Sequence, residues 1–253
     1  MIHVSRHRVI AIAAALALAA GASALVGCGG SDQGTGTTTT TQGASTAATN
    51  GVEALSADEI VKRSLAAAKA ATSATVKGTA SNNGQAVGID LTLTRGTGGS
   101  GSLTIGGQKV EIINAAGKSY LRAPAAFWAK AGIPQTVSDL LADRWITAPA
   151  TGSSAVAFSG FAQFTDMAVI VDGLLEGIVP TDVGQRTMVD GQPAVTVLDK
   201  DGNSLAVSVT GEPYPLRFTE KTGKPGDVVF SGWNKAATVT PPADAVDFAK
   251  ITG

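Results

Sequence analysis

The side chains that most often carry covalent or metal chemistry are confined to one end of this 253-residue chain. Both histidines, His3 and His7, and the single cysteine, Cys28, lie within the first 28 residues. Ser-His-Asp and Cys-His hydrolysis, zinc sites built on histidine or cysteine, and thiol redox chemistry all need one of these side chains. We therefore expect the rest of the chain to be no enzyme and to hold no metal or other cofactor.

Two motifs that accompany catalysis in other proteins are incomplete here. Gly96-Thr97-Gly98-Gly99-Ser100-Gly101 matches G-x-G-x-x-G, but an alternating strand pattern follows it where a dinucleotide site needs a helix. A glycine-rich hairpin connection is the better interpretation. Lys221-Thr222-Gly223 matches one element of penicillin-recognising serine enzymes, yet no serine has lysine three positions later, so we interpret it as a turn.

The lone cysteine ends an apolar N-terminal segment. A short basic head precedes residues 9–26, which are almost entirely Ala, Ile, Leu and Val, as in a secretory signal peptide. The tetrad Leu25-Val26-Gly27-Cys28 resembles a bacterial lipobox. That resemblance implies diacylglycerol transfer to the Cys28 sulfur and cleavage between Gly27 and Cys28, with residues 1–27 as the signal peptide. An uncleaved membrane anchor and a secreted protein with a free thiol stay open as alternatives.

Acylation accounts for the position of this thiol in physical terms. Each buried CH2 contributes about 0.8 kcal/mol to membrane binding. Two or three acyl chains therefore hold a protein at a membrane, whereas a protein with one chain dissociates. After Cys28, residues 29–50 contain no large apolar side chain and cannot offset their ordering entropy, so residues 28–50 are predicted to form the lipidated, flexible tether. We therefore expect a lipid anchor at the extracytoplasmic face of the cell membrane.

Residues 51–253 fit one domain with a sizeable core and show no second linker. The formal net charge of the chain is −1 at pH 7, and this domain has no run of basic residues. That charge argues against nucleic acid as a partner and against electrostatic attachment to anionic lipid surfaces.

Helices are predicted in three places within the domain. Ser56 precedes an apolar periodic run as a cap, and this first helix should extend to about Ala71. Shorter helical pieces are predicted between residues 125 and 142. Apolar spacing of three, four and seven residues predicts a second long helix over residues 161–178, with a break allowed at Gly173.

The remaining segments alternate in the manner of antiparallel strands. Ile89, Leu91 and Leu93 should point one way while the residues between them point the other. Residue pairs such as Asn83-Gly84, Gly106-Gly107 and Asp190-Gly191 supply the turns between strands. About ten strands with one apolar face, and helices to cover that face, define an α+β fold.

Several short motifs and their order resemble a known family. They are Asp143-Arg144-Trp145-Ile146, Val189-Asp190-Gly191-Gln192-Pro193-Ala194 and Glu212-Pro213-Tyr214-Pro215-Leu216-Arg217. With the lipobox and tether, they resemble the actinobacterial LppX/LprG lipoproteins over residues 55–246, whose fold is similar to that of the carriers LolA and LolB. The resemblance implies a curved antiparallel half-barrel wrapped around α-helices, with an apolar cavity for the acyl chains of an envelope lipid or glycolipid.

Alternation within the strands and the second helix selects the residues that should line such a cavity. These candidate residues are Ile89, Leu91, Leu93, Leu103, Ile105, Val110, Ile112, Phe164, Ala168, Val171, Leu175, Leu205, Val207 and Val209. The expected partners are a membrane lipid or glycolipid ligand and the membrane itself through the Cys28 acyl chains; no residue pattern identifies a partner transporter. Because a closed core has the same alternation, a non-enzymatic envelope interaction or structural lipoprotein without a lipid ligand stays open as the alternative.

Overall fold

The computed structural model describes residues 48–82, 85–147, 158, 160–176, 178–221, 226–235 and 237–252. The predicted signal peptide, Cys28 and nearly all of the tether lie outside the described residues. The predicted turn at Asn83-Gly84 also lies outside them, as do Thr222 and Gly223 of the turn predicted at Lys221-Thr222-Gly223. None of the helices in the described ranges is long and apolar enough to span a bilayer.

The first helix, α1, runs from Ala57 to Ala70 and starts where the sequence predicts. The hydroxyl of Ser56 accepts a hydrogen bond from the backbone N–H of Glu59 at 3.4 Å, which satisfies one of the free donors of the first turn. The buried face of the helix is made of mostly small side chains, namely Ala57, Ile60, Val61, Ser64, Ala67 and Ala68. Such a face lets the helix axis lie close to the sheet.

One sheet of twelve strands forms the body of the domain, in the order β12-β6-β5-β4-β3-β2-β1-β11-β10-β9-β8-β7. The strands are β1 Ser73–Asn82, β2 Gln85–Thr94, β3 Gly98–Ile105, β4 Gln108–Ala115, β5 Lys118–Arg122, β6 Ile146–Thr147, β7 Pro180–Val189, β8 Gln192–Asp199, β9 Ser204–Ser208, β10 Pro215–Glu220, β11 Gly226–Ser231 and β12 Val246–Asp247. Neighbours pair antiparallel except β6 and β12, which are parallel. The predicted α+β class is confirmed, and the strands beyond the expected ten are two-residue strands.

The glycine-rich motif before Leu103 lies mainly in β3, not in a hairpin connection as predicted. The turn occupies residues 95–97, and the strand begins at Gly98. Gly101 has a φ of +149°, and a Cβ added there would lie 2.0 Å from the carbonyl oxygen of Asp90 on the adjacent strand. Glycine is therefore required by a close backbone approach inside the sheet.

The remaining helices are short. They are α2 Ala125–Lys130, α3 Gln135–Leu141, α4 Gly173–Glu176 and α5 Phe248–Thr252. The second long helix predicted over residues 161–178 is not continuous: helical residues 160–162 are followed by a 3-10 turn Gln163–Thr165, a π-helix Ala168–Asp172 and α4. We call residues 160–176 the cover segment. Its change of helix type at Gly173 coincides with the break allowed there.

The helices pack on one face of the sheet, which we call the inner face. α1 contacts β7, β8, β9 and β10, whereas the 3-10 turn of the cover segment contacts β2, β3 and β4. Apolar side chains from both regions form one continuous buried cluster. A much smaller cluster of Val189, Ala194, Ala206 and Leu216 forms separately.

Candidate functional site

The predicted lining positions of the sheet face inward together, in register across neighbouring strands. Ile89 lies opposite Leu103, which lies opposite Val110, so these three side chains form one row across β2, β3 and β4. Leu205 lies opposite Phe218 on β10, at the other end of the sheet. The alternation predicted from the sequence therefore places these side chains on a shared inner face.

Burial of the candidate residues separates them into three groups. Ten are buried, namely Leu91, Leu93, Leu103, Val110, Ile112, Val171, Leu175, Leu205, Val207 and Val209. Ile89, Ile105 and Phe164 are half-buried and pack against the same cluster. Ala168 is exposed. Most of the predicted lining is thus the packed interior of the domain.

The exposed position of Ala168 corrects the predicted inward stripe of the second helix. The carboxylate of Asp166 accepts a hydrogen bond from the backbone N–H of Ala168 at 2.8 Å, so a new helical piece starts there. In the following π-helix the turn is wider than in an α-helix, which changes the residue spacing of each face. Met167, Val171 and Leu175, four residues apart, form the buried face instead.

An aromatic cluster that the sequence did not assign closes the β5 end of the inner face. The rings of Trp128 and Phe158 stack with centroids 6.3 Å apart, and Phe248 of α5 meets Phe158 edge-on at 5.7 Å. The indole N–H of Trp128 donates to the carbonyl of Ala123 at 3.2 Å, which satisfies its buried polar atom. Only the fold brings these side chains together, because they are distant in sequence.

Arg95, in the turn after β2, joins α1 to the cover segment. Its Nε donates to the carbonyl of Ala71 at 3.0 Å, and Nη2 donates to the carbonyl of Ala68 at 2.9 Å. The same guanidinium holds both carboxylate oxygens of Asp172 at 3.2 Å. The arginine therefore adds hydrogen bonds to carbonyls at the C-terminal end of α1 while it pairs with the π-helix.

Neither of the two best-formed depressions among the described residues lies between the cover segment and the sheet. One is an open cleft of ≈ 410 Å³ beside α1, lined by Asn50, Val52, Arg63, Ala66, Ala67, Ala70, Glu212 and Pro213. The other is a cavity of ≈ 10 Å³ at one end of strands β1, β10 and β11, lined by Thr79, Ala80, Ser81, Phe218, Glu220, Gly226 and Val228. None of the predicted cavity residues lines either depression.

The small cavity contains the only acidic or basic side chain counted as buried among the described residues. Glu220 is 6% exposed and lies opposite Gly226, two residues from the inward pair of Phe218 and Val228. Burial raises the pKa of the Glu220 carboxyl above its ordinary 4.5, and the charge of Asp199 adds to this rise. Sequence alternation with Phe218 was a signal that could have identified this inward acid.

No group of three or more His, Cys, Asp or Glu side chains among the described residues is arranged to hold a metal ion. Several ion pairs among the described residues lie toward solvent. For example, Glu111 is held by Arg122, whose hydrogen bond lowers the pKa of the Glu111 carboxyl below 4.5. The inner face therefore offers apolar contact and a few isolated polar groups.

Comparisons with known proteins concern the fold. No protein-family model and no curated protein matches the chain. Among solved structures, the chain is similar to LprF from Mycobacterium bovis, with 15% identity over 74% of this chain and 97% of LprF, at a TM-score of 0.49. It is also similar to the lipoprotein LppX from Mycobacterium tuberculosis, with 16% identity over 73% of this chain and 98% of LppX, at a TM-score of 0.47. Both are members of the LppX/LprG family that the sequence resembles.

Proposed function

We propose that this protein is a membrane-anchored, extracytoplasmic lipoprotein that binds or carries a lipid or glycolipid between its sheet and its helices. The Cys28 acyl chains hold it at the membrane, and the domain performs no covalent chemistry. Its ligand is held by burial of acyl chains, which contributes about 25 cal/mol for each Å² of apolar area removed from water.

The observation that supports this proposal most is the extent of the inner face and the way it is covered. Its apolar cluster draws side chains from β1 to β5 and from β8 to β11. Over β2, β3 and β4, a short 3-10 turn of the cover segment makes the contact. A cover made of short pieces can leave the sheet without unfolding a long helix, and so it can make room for a hydrocarbon chain.

The buried candidate residues define how binding must occur. Leu91, Leu103 and Val171 are 0% exposed, so these three side chains are covered on all sides by other atoms of the protein. An acyl chain therefore enters only when the cover segment moves away from the sheet. The ligand then stabilises the open arrangement, because it binds that state and not the closed one.

A second candidate function is favoured by the same burial. If the closed arrangement is the working state, the inner face is an ordinary core and the protein is a non-enzymatic envelope interaction or structural lipoprotein. Its partner would then bind the outer surface.

Mass spectrometry separates the two functions. The full chain is purified from its own host, and one sample is sprayed under native conditions while another is extracted with organic solvent. Lipid carriage predicts a bound lipid in both. A protein that retains no lipid in either sample would support the structural function.

A matched pair of variants locates the lipid. Ile89 is half-buried on the inner face, and the adjacent Asp90 lies on the outer face, where it pairs with Lys77. Ile89→Gln should reduce the retained lipid severalfold, whereas Asp90→Asn should not, provided that both variants keep the thermal stability of the natural protein. Incorporation of labelled palmitate, lost in Cys28→Ala, tests the anchor separately.

A further inference from the structure

Two nitrogen donors meet beside the turn between β3 and β4. A Cβ added at Gly106 would lie 3.5 Å from Nε2 of Gln85 and 3.5 Å from Nζ of Lys130, the last residue of α2. Apart from the chain neighbours of Gly106, no other described atom lies within 4 Å of that point. Because the next turn residue is also a glycine, Gly107, the turn has no side chain that could fill this space. The two donors therefore border one open position.

Within the described part of the chain, these donors have no partner. No described residue forms an ion pair or a hydrogen bond with the amine of Lys130, and the side-chain amide of Gln85 has no hydrogen bond there either. The same holds for the amide of Gln108, which alternation places on the side of β4 that carries the buried Val110. In contrast, Lys77 on the outer face pairs with a carboxylate. We call Gln85, Gln108 and Lys130 the polar rim.

The apolar surface of the inner face begins directly beside the polar rim. Ile105, the last residue of β3, lies opposite Val87 of β2 and Gln108 of β4. Ile105 and Phe127 of α2 are only half-buried, although both pack against the core cluster. The ring of Phe127 meets that of Phe161 in the cover segment edge-on, with centroids 5.9 Å apart. Opening of the cover segment therefore extends the apolar surface from the rim inward.

The charge of the polar rim determines which head group it fits. The rim has one positive charge and amide N–H groups, and none of the described carboxylates forms an ion pair with its lysine. Ammonium and amide donors bind anionic oxygens more strongly than neutral ones, and a phosphate has several such oxygens to accept them. An amphiphile with a phosphate matches this junction of donors and apolar surface.

We propose that the polar rim binds the phosphate head group of a lipid whose acyl chain lies on the inner face beneath the cover segment. Lys130 pairs with the phosphate, and the amides of Gln85 and Gln108 donate hydrogen bonds to it. This proposal rests on the proposed function, because the same ligand occupies the inner face. A soluble phosphate has the same head-group chemistry, but it would leave the adjacent apolar surface unused.

Three probes test this selectivity through displacement of a neutral, pyrene-labelled fatty acid methyl ester from the full chain. 1-Palmitoyl-lysophosphatidic acid and 1-palmitoylglycerol share an acyl chain and a glycerol, and they differ in the phosphate. We expect the phosphate lipid to bind about fivefold tighter, as one ion pair near solvent implies, and added salt should reduce the difference. Glycerol 3-phosphate, which lacks the acyl chain, should neither displace the ester nor bind measurably in calorimetry.

A matched pair of lysine variants locates the phosphate. Lys130→Met should abolish the preference for the phosphate lipid and leave the affinity for 1-palmitoylglycerol unchanged. Lys118→Met is the control, since Lys118 is also exposed and without an ion pair among the described residues. It opens β5, beyond the other end of β4, and changes the net charge by the same amount. The control should keep the preference.

A second matched pair fills the open position itself. Gly106 and Gly107 have φ values of 56° and 79°, a turn in which Asp-Gly and Asn-Gly are both favoured, so Gly106→Asp and Gly106→Asn should both fold. The aspartate would place a carboxylate between the donors, and we expect it to abolish the preference for the phosphate lipid. The asparagine has the same shape without the charge and should keep most of the preference.

Each other outcome has a distinct meaning. If the ester does not bind, or if neither lipid displaces it, the proposed function fails and the head-group site fails with it. If the two lipids bind equally well, lipid binding stands but the polar rim is overturned as a head-group site. An equal loss of preference in Lys118→Met would mean that overall charge sets the preference and would also overturn it. Binding of glycerol 3-phosphate as tight as that of the phosphate lipid would assign the rim to a soluble phosphate instead.

Discussion

α1 and the cover segment pack on the same face of one sheet, but they are built differently. α1 is a continuous helix of 14 residues with a side-chain cap, and it contacts β7 to β10. The cover segment combines a helical stretch at residues 160–162, a 3-10 turn, a π-helix and α4, and its 3-10 turn contacts β2 to β4. Short pieces of this kind have few internal hydrogen bonds and depend on packing for their stability.

The difference indicates where the domain can open. Opening energies within one protein range from near zero to the global free energy of unfolding, and poorly packed, irregular segments open first. Arg95 connects α1 and the cover segment, the two covers of the inner face, because it binds the end of α1 and Asp172 at the same time. We therefore expect α1 to belong to the most stable part of the domain and the cover segment to open separately.

Core truncations in the two covers should have the largest effects. Ile60 of α1 and Leu175 of the cover segment are 0% and 1% exposed, and replacement of either by alanine should cost about 2–5 kcal/mol in global unfolding free energy. Hydrogen exchange distinguishes them. Leu175→Ala should speed exchange within residues 160–176 most, whereas Ile60→Ala should leave the free energy of local opening there unchanged. Equal loss of protection throughout both variants would mean that the two covers open as one unit.

Arg95→Met comes next in expected size. The methionine keeps an apolar stem but loses the bonds to Ala68, Ala71 and Asp172, and we expect a loss of about 2 kcal/mol because the Asp172 side chain is only 13% exposed. Arg217→Met is the matched control, since it breaks an Arg–Asp pair with Asp227 whose side chains are 45% and 44% exposed, and it should cost less than about 1 kcal/mol. Urea unfolding of both variants makes the comparison. Similar losses would show that Arg95 does not join the covers.

The sequence predicts features that depend on neighbouring residues, and it does so here for α1 and the strands. The cap at Ser56 needs only the following turn, and the alternation of Ile89, Leu91 and Leu93 needs only one strand. The Asp190-Gly191 turn is also local, and both residues take positive φ values of 49° and 78° as expected.

Features that depend on distant residues or on a change of helix type were not predictable in the same way. The cover segment carries apolar spacing that suits an α-helix, but Asp166 restarts the chain and the π-helix shifts Ala168 to the surface. Arg95 acquires its role only when the turn after β2 meets the end of α1. Whether the interior is open or filled depends on side-chain volumes across both covers, which alternation does not measure.

Removal of the helix caps of α1 and of the cover segment should change stability less than the substitutions above. Ser56→Ala removes the cap of α1 and should lower the global free energy of unfolding by about 1 kcal/mol. Asp166→Ala removes the bond to the backbone N–H of Ala168 and should cost a similar amount, but its effect on exchange should be confined to the cover segment. Thermal unfolding combined with hydrogen exchange measures both. Faster exchange in α1 of the Asp166 variant would contradict a separate opening of the cover segment.

The smallest effect is expected from the pH dependence of Glu220, which lies on the inner face outside both covers. Because its pKa in the folded state is raised above 4.5, the folded protein binds more protons than the unfolded chain between 4.5 and the raised pKa. This carboxyl therefore lowers stability as pH rises through that window, and the loss is complete above it. Glu220→Gln removes the titration, so its stability relative to the natural protein should increase from pH 4.5 upward and then level off. Urea titrations across this range measure the trend, and a difference that stays constant with pH would mean that the carboxyl is as well solvated in the folded protein as in the unfolded chain.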